Sequence, residues 1–150
     1  MNAAKKIITR IEADPKKKAA NAELSILRTA AYCRVSTDSS DQLESYKAQV
    51  AYYTDAIAKN PKWRFAGIYA DEGLSGTQAA KRDDFLRMIK DCEKGKIDYI
   101  ITKSVARFAR NTVDALKYVR KLKALGIGVY FEEQCLDSLK SESELALGIY

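Results

Sequence analysis

The sequence predicts an α/β fold with a mostly parallel central sheet of four or five strands and helices on both faces. Two observations carry this. Short apolar runs alternate with amphipathic stretches along the chain, the order that builds βαβ units with right-handed crossovers. The run Tyr99-Ile100-Ile101 has almost no polar interruption, as in parallel strands covered on both faces. No internal repeat or low-complexity segment breaks the pattern.

Taken in order, residues 1–28 hold seven Lys/Arg and three Asp/Glu with weak periodicity, and read as a flexible N-terminal arm, partly helical around Ala19 to Leu27. Such an arm either touches DNA or serves as a solubilising tail. Thr29-Ala30-Ala31-Tyr32 reads as the first, buried strand, followed by the polar loop Asp38-Ser39-Ser40-Asp41. From Gln42 to Lys59 the apolar positions Leu43, Tyr46, Val50, Tyr53 and Ile57 fall three and four apart, the amphipathic helix spacing. Asn60-Pro61 ends that helix, because proline disfavours the helical region for the residue before it. Trp63 to Ala70 is the second strand, and Asp71 to Thr77 a loop with two glycines and two acids. Asp83 and Asp84 then open a helix, where their charge suits the dipole. Phe85, Met88, Ile89 and Cys92 give it one apolar stripe, and Gly95 closes it.

Ile97 to Thr102 is the third strand, Val113, Leu116, Val119 and Leu122 mark a helix ending at Gly126, and Ile127 to Phe131 is the fourth strand. Ser141-Glu142-Ser143-Glu144 forms a capping box ahead of a last helix that reaches Tyr150 without a stop signal, so the natural chain is expected to continue. The expected organisation is an arm over 1–28, one domain over 29–139, and the start of a further helix over 140–150.

At 150 residues and 47% hydrophobic, the chain is long enough for one domain with a sizeable core. No apolar run approaches the roughly 18–20 residues that span a bilayer, and Met1 to Arg28 lacks the apolar region of a secretory signal. Cys33, Cys92 and Cys135 stand far apart. That argues against a zinc module or a disulfide framework and fits a reducing cytoplasm, with the thiols acting as small hydrophobes. The net charge is +6, and within the domain Lys103 to Lys123 carries seven basic residues against the single Asp114. A patch of this kind attracts polyanions such as nucleic acid, although a solvated helix face has the same composition.

The candidate chemistry centres on Ser36. It ends a central strand and precedes a helix, where open α/β sheets place their ligands. Arg34, two residues earlier, shares its face of the strand. The chain has no histidine, which removes Ser-His-Asp and Cys-His triads. Lys103, Arg107 and Arg110 fall four and three residues apart and share one face if that turn is helical. Arg82 follows the acidic glycine loop. In a parallel sheet these carboxyl ends lie on one edge, so the basic groups can converge on Ser36. There they would clamp a phosphodiester, stabilise the charge of its transition state and favour the serine alkoxide. Taken singly, each arginine reads as a surface ion pair, Arg82 with Asp83 for instance. A Mg²⁺-dependent nuclease would need converging carboxylates, and Asp71 with Glu72 is an adjacent acidic pair in a strand-end loop, Asp98 lying at the opposite edge. Gly73 and Gly76 form neither a dinucleotide fingerprint nor a P-loop.

Four stretches together resemble the ordered motifs of serine site-specific recombinases, the resolvase/invertase catalytic domain. They are Tyr32-Cys33-Arg34-Val35-Ser36-Thr37, Tyr69 to Gly76, Arg82-Asp83-Asp84-Phe85, and Lys103 to Thr112. The long arm and Gly128-Val129-Tyr130-Phe131-Glu132 look like the large-serine-recombinase branch of phage integrases and mobile-element transposases. The resemblance implies a resolvase-like fold and a Ser36 that attacks a DNA phosphodiester, forming a 5′-phosphoserine link and releasing a 3′ hydroxyl. It implies that Arg34, Arg82, Arg107 and Arg110 bind the scissile phosphate. By the same resemblance Gln49 helps hold the site, Asp71 orients basic groups and Lys103 supports them. It implies no metal, no cofactor and no ATP. The implied partners are double-stranded DNA and further copies of the chain, as a dimer and then a tetramer that exchanges strands by rotation, with no membrane. Residues 140–150 would begin the oligomerisation helix, and residues 1–150 alone would be weakly active or inactive. The chain departs from the pattern at Ala106, where relatives carry Ser or Asp, and in a longer loop from Ser39 to Leu43 around Gln42. The alternative is a catalytically silent DNA-associated oligomerisation module of the same fold, against which stand the serine and all four arginines.

Overall fold

The computed structural model describes residues 26–35, 39–73 and 82–140. In chain order these form β1 (Leu27–Val35), α1 (Ser39–Lys59), β2 (Trp63–Glu72), α2 (Asp83–Glu93), β3 (Tyr99–Thr102), α3 (Val105–Phe108), α4 (Thr112–Ala124), β4 (Gly128–Phe131) and β5 (Leu136–Asp137). The strands make one sheet in the order β2-β1-β3-β4-β5. The first four are mutually parallel, and β5 pairs antiparallel with β4. This is the mostly parallel α/β architecture the sequence predicts.

The alternation of β1 sorts the two faces. Ala30 and Tyr32 turn toward Phe85, Met88, Ile89 and Cys92 of α2, Phe108 of α3, and Ala115, Val119 and Leu122 of α4. Ala31 and Cys33 turn the other way, toward Tyr53 and Ile57 of α1. Both faces of β1 and β3 are therefore covered, which is why these strands read as continuous apolar runs. β2 joins β1 with a register shift between Thr29 and Ala30. Gly67 sits across that shift at φ +144°, a conformation glycine adopts without the strain of a Cβ. At the opposite side of the sheet, a Cβ on Gly128 would stand 2.8 Å from side-chain atoms of both Leu139 and Tyr99, so a larger residue there would push them aside.

β1 starts at Leu27, two residues inside the expected arm. Arg28 is tied in by Asp98, which accepts from its backbone N at 2.8 Å and from Nε and Nη2 at 2.8 and 2.9 Å. The apolar stripe of α1 also divides. Tyr53 and Ile57 are buried, but Leu43 and Tyr46 are 57% and 41% exposed. Gln49 stands level with the end of β1, bonded to the Arg34 carbonyl, so the turns before it lie past the last residue of that strand. The arm up to residue 25 and the capping box at Ser141 to Glu144 lie outside the described residues.

The thiols give a direct check of this packing. Burial pushes the Cys33 and Cys92 thiols up to about 12, with nearby Glu132 adding to the shift at Cys33 and Asp91 at Cys92. Cys135 is exposed. Because a raised pKa leaves the reactive thiolate scarce until the pH nears it, native protein at pH 8 should take up one maleimide rapidly and two more only on unfolding. Rapid labelling of all three thiols in the native state would contradict the fold.

Candidate active site

The carboxyl ends of β1, β3 and β4 open onto a cavity of about 940 Å³. Arg34, Gln49, Lys103 and Arg107 line it, together with Tyr52, Tyr53, Glu132 and Glu133. β1 stops at Val35, so the residue that follows it in the sequence is Ser36, itself outside the described residues.

The strand end is held from two sides. Gln49 Nε2 donates to the Arg34 carbonyl at 3.1 Å, and the Gly73 N–H donates to the Val35 carbonyl at 2.9 Å. Glycine suits this close approach, since a Cβ on Gly73 would lie only 3.3 Å from the Val35 carbonyl.

Opposite, the chain leaves β3 through Lys103 and enters α3 at Ser104, whose Oγ accepts from the Arg107 N–H at 3.2 Å. This cap starts a single helical turn that sets the exposed Arg107 on the cavity wall. Glu132 accepts from the hydroxyls of Tyr52 and Tyr53 at 2.7 and 2.6 Å. Burial first, then that hydrogen bond, pushes the Tyr53 hydroxyl well above the usual phenol range. Lys103 Nζ is 4.0 Å from Glu133, and both side chains are half exposed, which leaves the pair weak in water.

Lys103, Arg107 and Arg110 do not share one helical face. α3 ends at Phe108, and Asn111 starts a new helix, its Oδ1 accepting from the Asp114 N–H at 2.9 Å. Ser104 and Asn111 both satisfy helix N-termini, the position such side chains favour over a helix interior. Lys103 and Arg107 therefore line the cavity, while Arg110 lies beyond the break, its N–H donating to Asp114 Oδ2 at 3.1 Å.

Arg82 is not among the residues lining this cavity. Its guanidinium stacks 3.7 Å from the Phe85 ring centroid, donates from Nη1 to Asp114 Oδ2 at 2.7 Å, and donates from Nη2 to the Phe108 carbonyl. Its ion partner is thus Asp114 rather than Asp83. Asp71 is buried, accepting from the Tyr32 hydroxyl at 2.7 Å and from the Asp84 and Phe85 N–H groups at 2.9 and 3.0 Å. It caps α2 from the neighbouring strand. Burial, then Asp71, pushes the Tyr32 hydroxyl up, and nearby Arg82 opposes that shift.

The model of the resolvase N-terminal domain matches residues 29–150. The chain belongs to that family. Among solved structures, this resolvase-family domain is similar to a resolvase family site-specific recombinase from Streptococcus pneumoniae, at 26% identity and a TM-score of 0.62 over 81% of this chain and 84% of that one. It is similar to the N-terminal catalytic domain of TP901-1 integrase at 25% identity and a TM-score of 0.58, over 81% and 88%. The C-terminal catalytic domain of ISC1926 TnpA, an IS607-like serine recombinase, aligns at 17% identity and a TM-score of 0.57 over 70% of each chain, a likeness of fold alone. No curated protein sequence matches the chain.

In the resolvase-family domain, Asp71 is buried and Glu72 exposed, their side chains leaving opposite faces of one strand, so this pair does not converge on a cation. Among the described residues no group of three or more Cys, Asp or Glu is gathered to hold a metal ion. Among them, too, no helix is long and apolar enough to cross a membrane. Sequence reasoning missed Tyr52, Glu132 and Asp114. Tyr52 lies three residues after Gln49, one helical turn on, and that spacing is the signal that could have placed it on the cavity wall.

Proposed function

We propose that this domain performs site-specific DNA recombination through a covalent 5′-phosphoserine on Ser36, as the catalytic part of an integrase- or transposase-like recombinase of a mobile element. One observation carries the reading: Arg34, Lys103, Arg107 and Gln49 line a single cavity at the end of the strand that leads to Ser36.

In this mechanism Ser36 Oγ attacks the phosphorus of a DNA phosphodiester. The Oγ–P bond forms, the bond from phosphorus to the 3′ oxygen breaks, and that oxygen takes up a proton as it leaves. The serine proton passes to solvent or to a basic group, and without histidine the surrounding positive charge must favour the alkoxide. Arg34 and Arg107 offer planar donor pairs for two non-bridging oxygens, and Lys103 adds a point charge. Gln49 keeps the end of β1 in place, and Arg82, Arg110 and Asp71 support the pocket. A serine phosphodiester conserves the bond energy of the cut strand, so a new 3′ hydroxyl can reverse the step without ATP or metal. The partners are double-stranded DNA and further copies of the chain.

The full-length protein, incubated with end-labelled DNA carrying its recombination sites in excess EDTA, should yield a protein adduct on the 5′ side of the break and a free 3′ hydroxyl. Cleavage that vanishes in EDTA and returns with Mg²⁺ would overturn the mechanism.

A further inference from the structure

The cavity has a wall of basic groups, and Arg82, which is not among them, sits in the seam between α2, α3 and α4. We infer that Asp114 is a positioning residue, forming with Arg82 a brace that sets where Arg107 and Arg110 stand. The inference rests on the proposed phosphodiester chemistry and adds a residue to it.

Asp114 Oδ2 accepts from two donors, Arg82 Nη1 at 2.7 Å and the Arg110 N–H at 3.1 Å. The same guanidinium donates from Nη2 to the carbonyl of Phe108, the residue after Arg107. One planar group thus spans the break between α3 and α4, gripping the last residue of the first helix and the first turn of the second. Two donors on one planar group, each with its own acceptor, fix direction as well as distance, which a single ammonium cannot do.

The brace has a rigid footing. Arg82 stands at the start of α2, and Asp71 ties that helix N-terminus to β2. The Phe85 ring lies beneath the guanidinium, and only 10% of the Arg82 side chain and 20% of Asp114 remain exposed. In so dry a place the pair is stronger than a surface ion pair, and removing one partner strands the other's charge. A position error passed to Arg107 would matter, because transition-state charge is stabilised only by donors already in place.

The alternative is an ion pair that merely stabilises the fold. The two are separated by comparing Asp114→Asn, Arg82→Lys and their combination in the full-length protein, with DNA carrying its sites. Single-turnover cleavage, DNA affinity and thermal melting are measured for each. As a positioning pair, each single change should slow cleavage about 10–100-fold with DNA affinity held within about twofold, as for other residues that orient catalytic groups. The double variant should be no slower than the slower single variant, since both act through one brace. Wild-type cleavage in the single variants, or multiplying losses in the double, overturns the inference. If Asp114→Asn does not fold, Arg82→Lys carries the same comparison of rate against affinity. Ser36→Ala is run alongside. Its continued cleavage would sink the recombinase reading itself, whereas a dead Ser36→Ala beside fully active brace variants would sink only the brace.

Discussion

In a Ser36→Ala variant, strand cleavage and the covalent protein–DNA adduct should both fall by at least about 10⁴-fold, the scale set when an enzyme loses its only nucleophile. The chain has no histidine to activate water in the serine's place. The surrounding geometry should survive the change, because it is fixed by backbone groups that alanine retains. Gln49 holds the Arg34 carbonyl, and Gly73 holds the carbonyl of Val35. DNA affinity should therefore stay near wild type, since phosphate contacts come from the basic groups rather than from the serine. Denaturing gels of end-labelled DNA report cleavage and adduct together, and a mobility shift reports binding. Cleavage by Ser36→Ala within tenfold of wild type would show that another group attacks the phosphate.

The parts of this site that sequence shows are those governed by local periodicity. Arg34 could be placed at a strand end because β1 alternates without interruption between its two faces. Lys103 follows the apolar run of β3 directly, and both residues do line the cavity. What was not legible depends on where elements stop relative to one another. Leu43 and Tyr46 keep helical spacing with Tyr53 and Ile57, but spacing does not say that β1 ends level with Gln49. Lys103, Arg107 and Arg110 are one face only in a continuous helix, and two cap residues break it. Asp71 carries no local mark of its partners, which are a tyrosine on β1 and two amides of α2. Its role follows from a strand register and a crossover, neither of which any window of sequence contains. Arg82 is expected to bind the phosphate, and its spacing says nothing of an ion partner 32 residues away on α4.

Phe85→Ala should be the most damaging single change to stability, by about 3–5 kcal/mol. The ring is fully buried and meets three others edge-on, Tyr32 at 5.2 Å, Phe108 at 5.1 Å and Tyr118 at 4.9 Å between centroids. Phe108 passes the contact on to Phe131 at 5.5 Å. One side chain of α2 thus touches β1, α3 and α4, so truncation opens a cavity that rigid neighbours on several sides cannot close. The loss should lower the melting temperature by roughly 2–4 °C for each kcal/mol. Phe85→Leu restores most of the volume and should recover most of the stability, because near-isosteric apolar exchanges cost under about 1.5 kcal/mol when the site repacks. It does not restore the flat face under Arg82. If the brace matters for cleavage, Phe85→Leu should be nearly as stable as wild type and still cleave more slowly, a split that packing alone does not produce. Equal recovery of stability and cleavage would reduce Phe85 to a core residue. A loss under about 1 kcal/mol in Phe85→Ala would mean that the aromatic junction does not hold α2, α3 and α4 together.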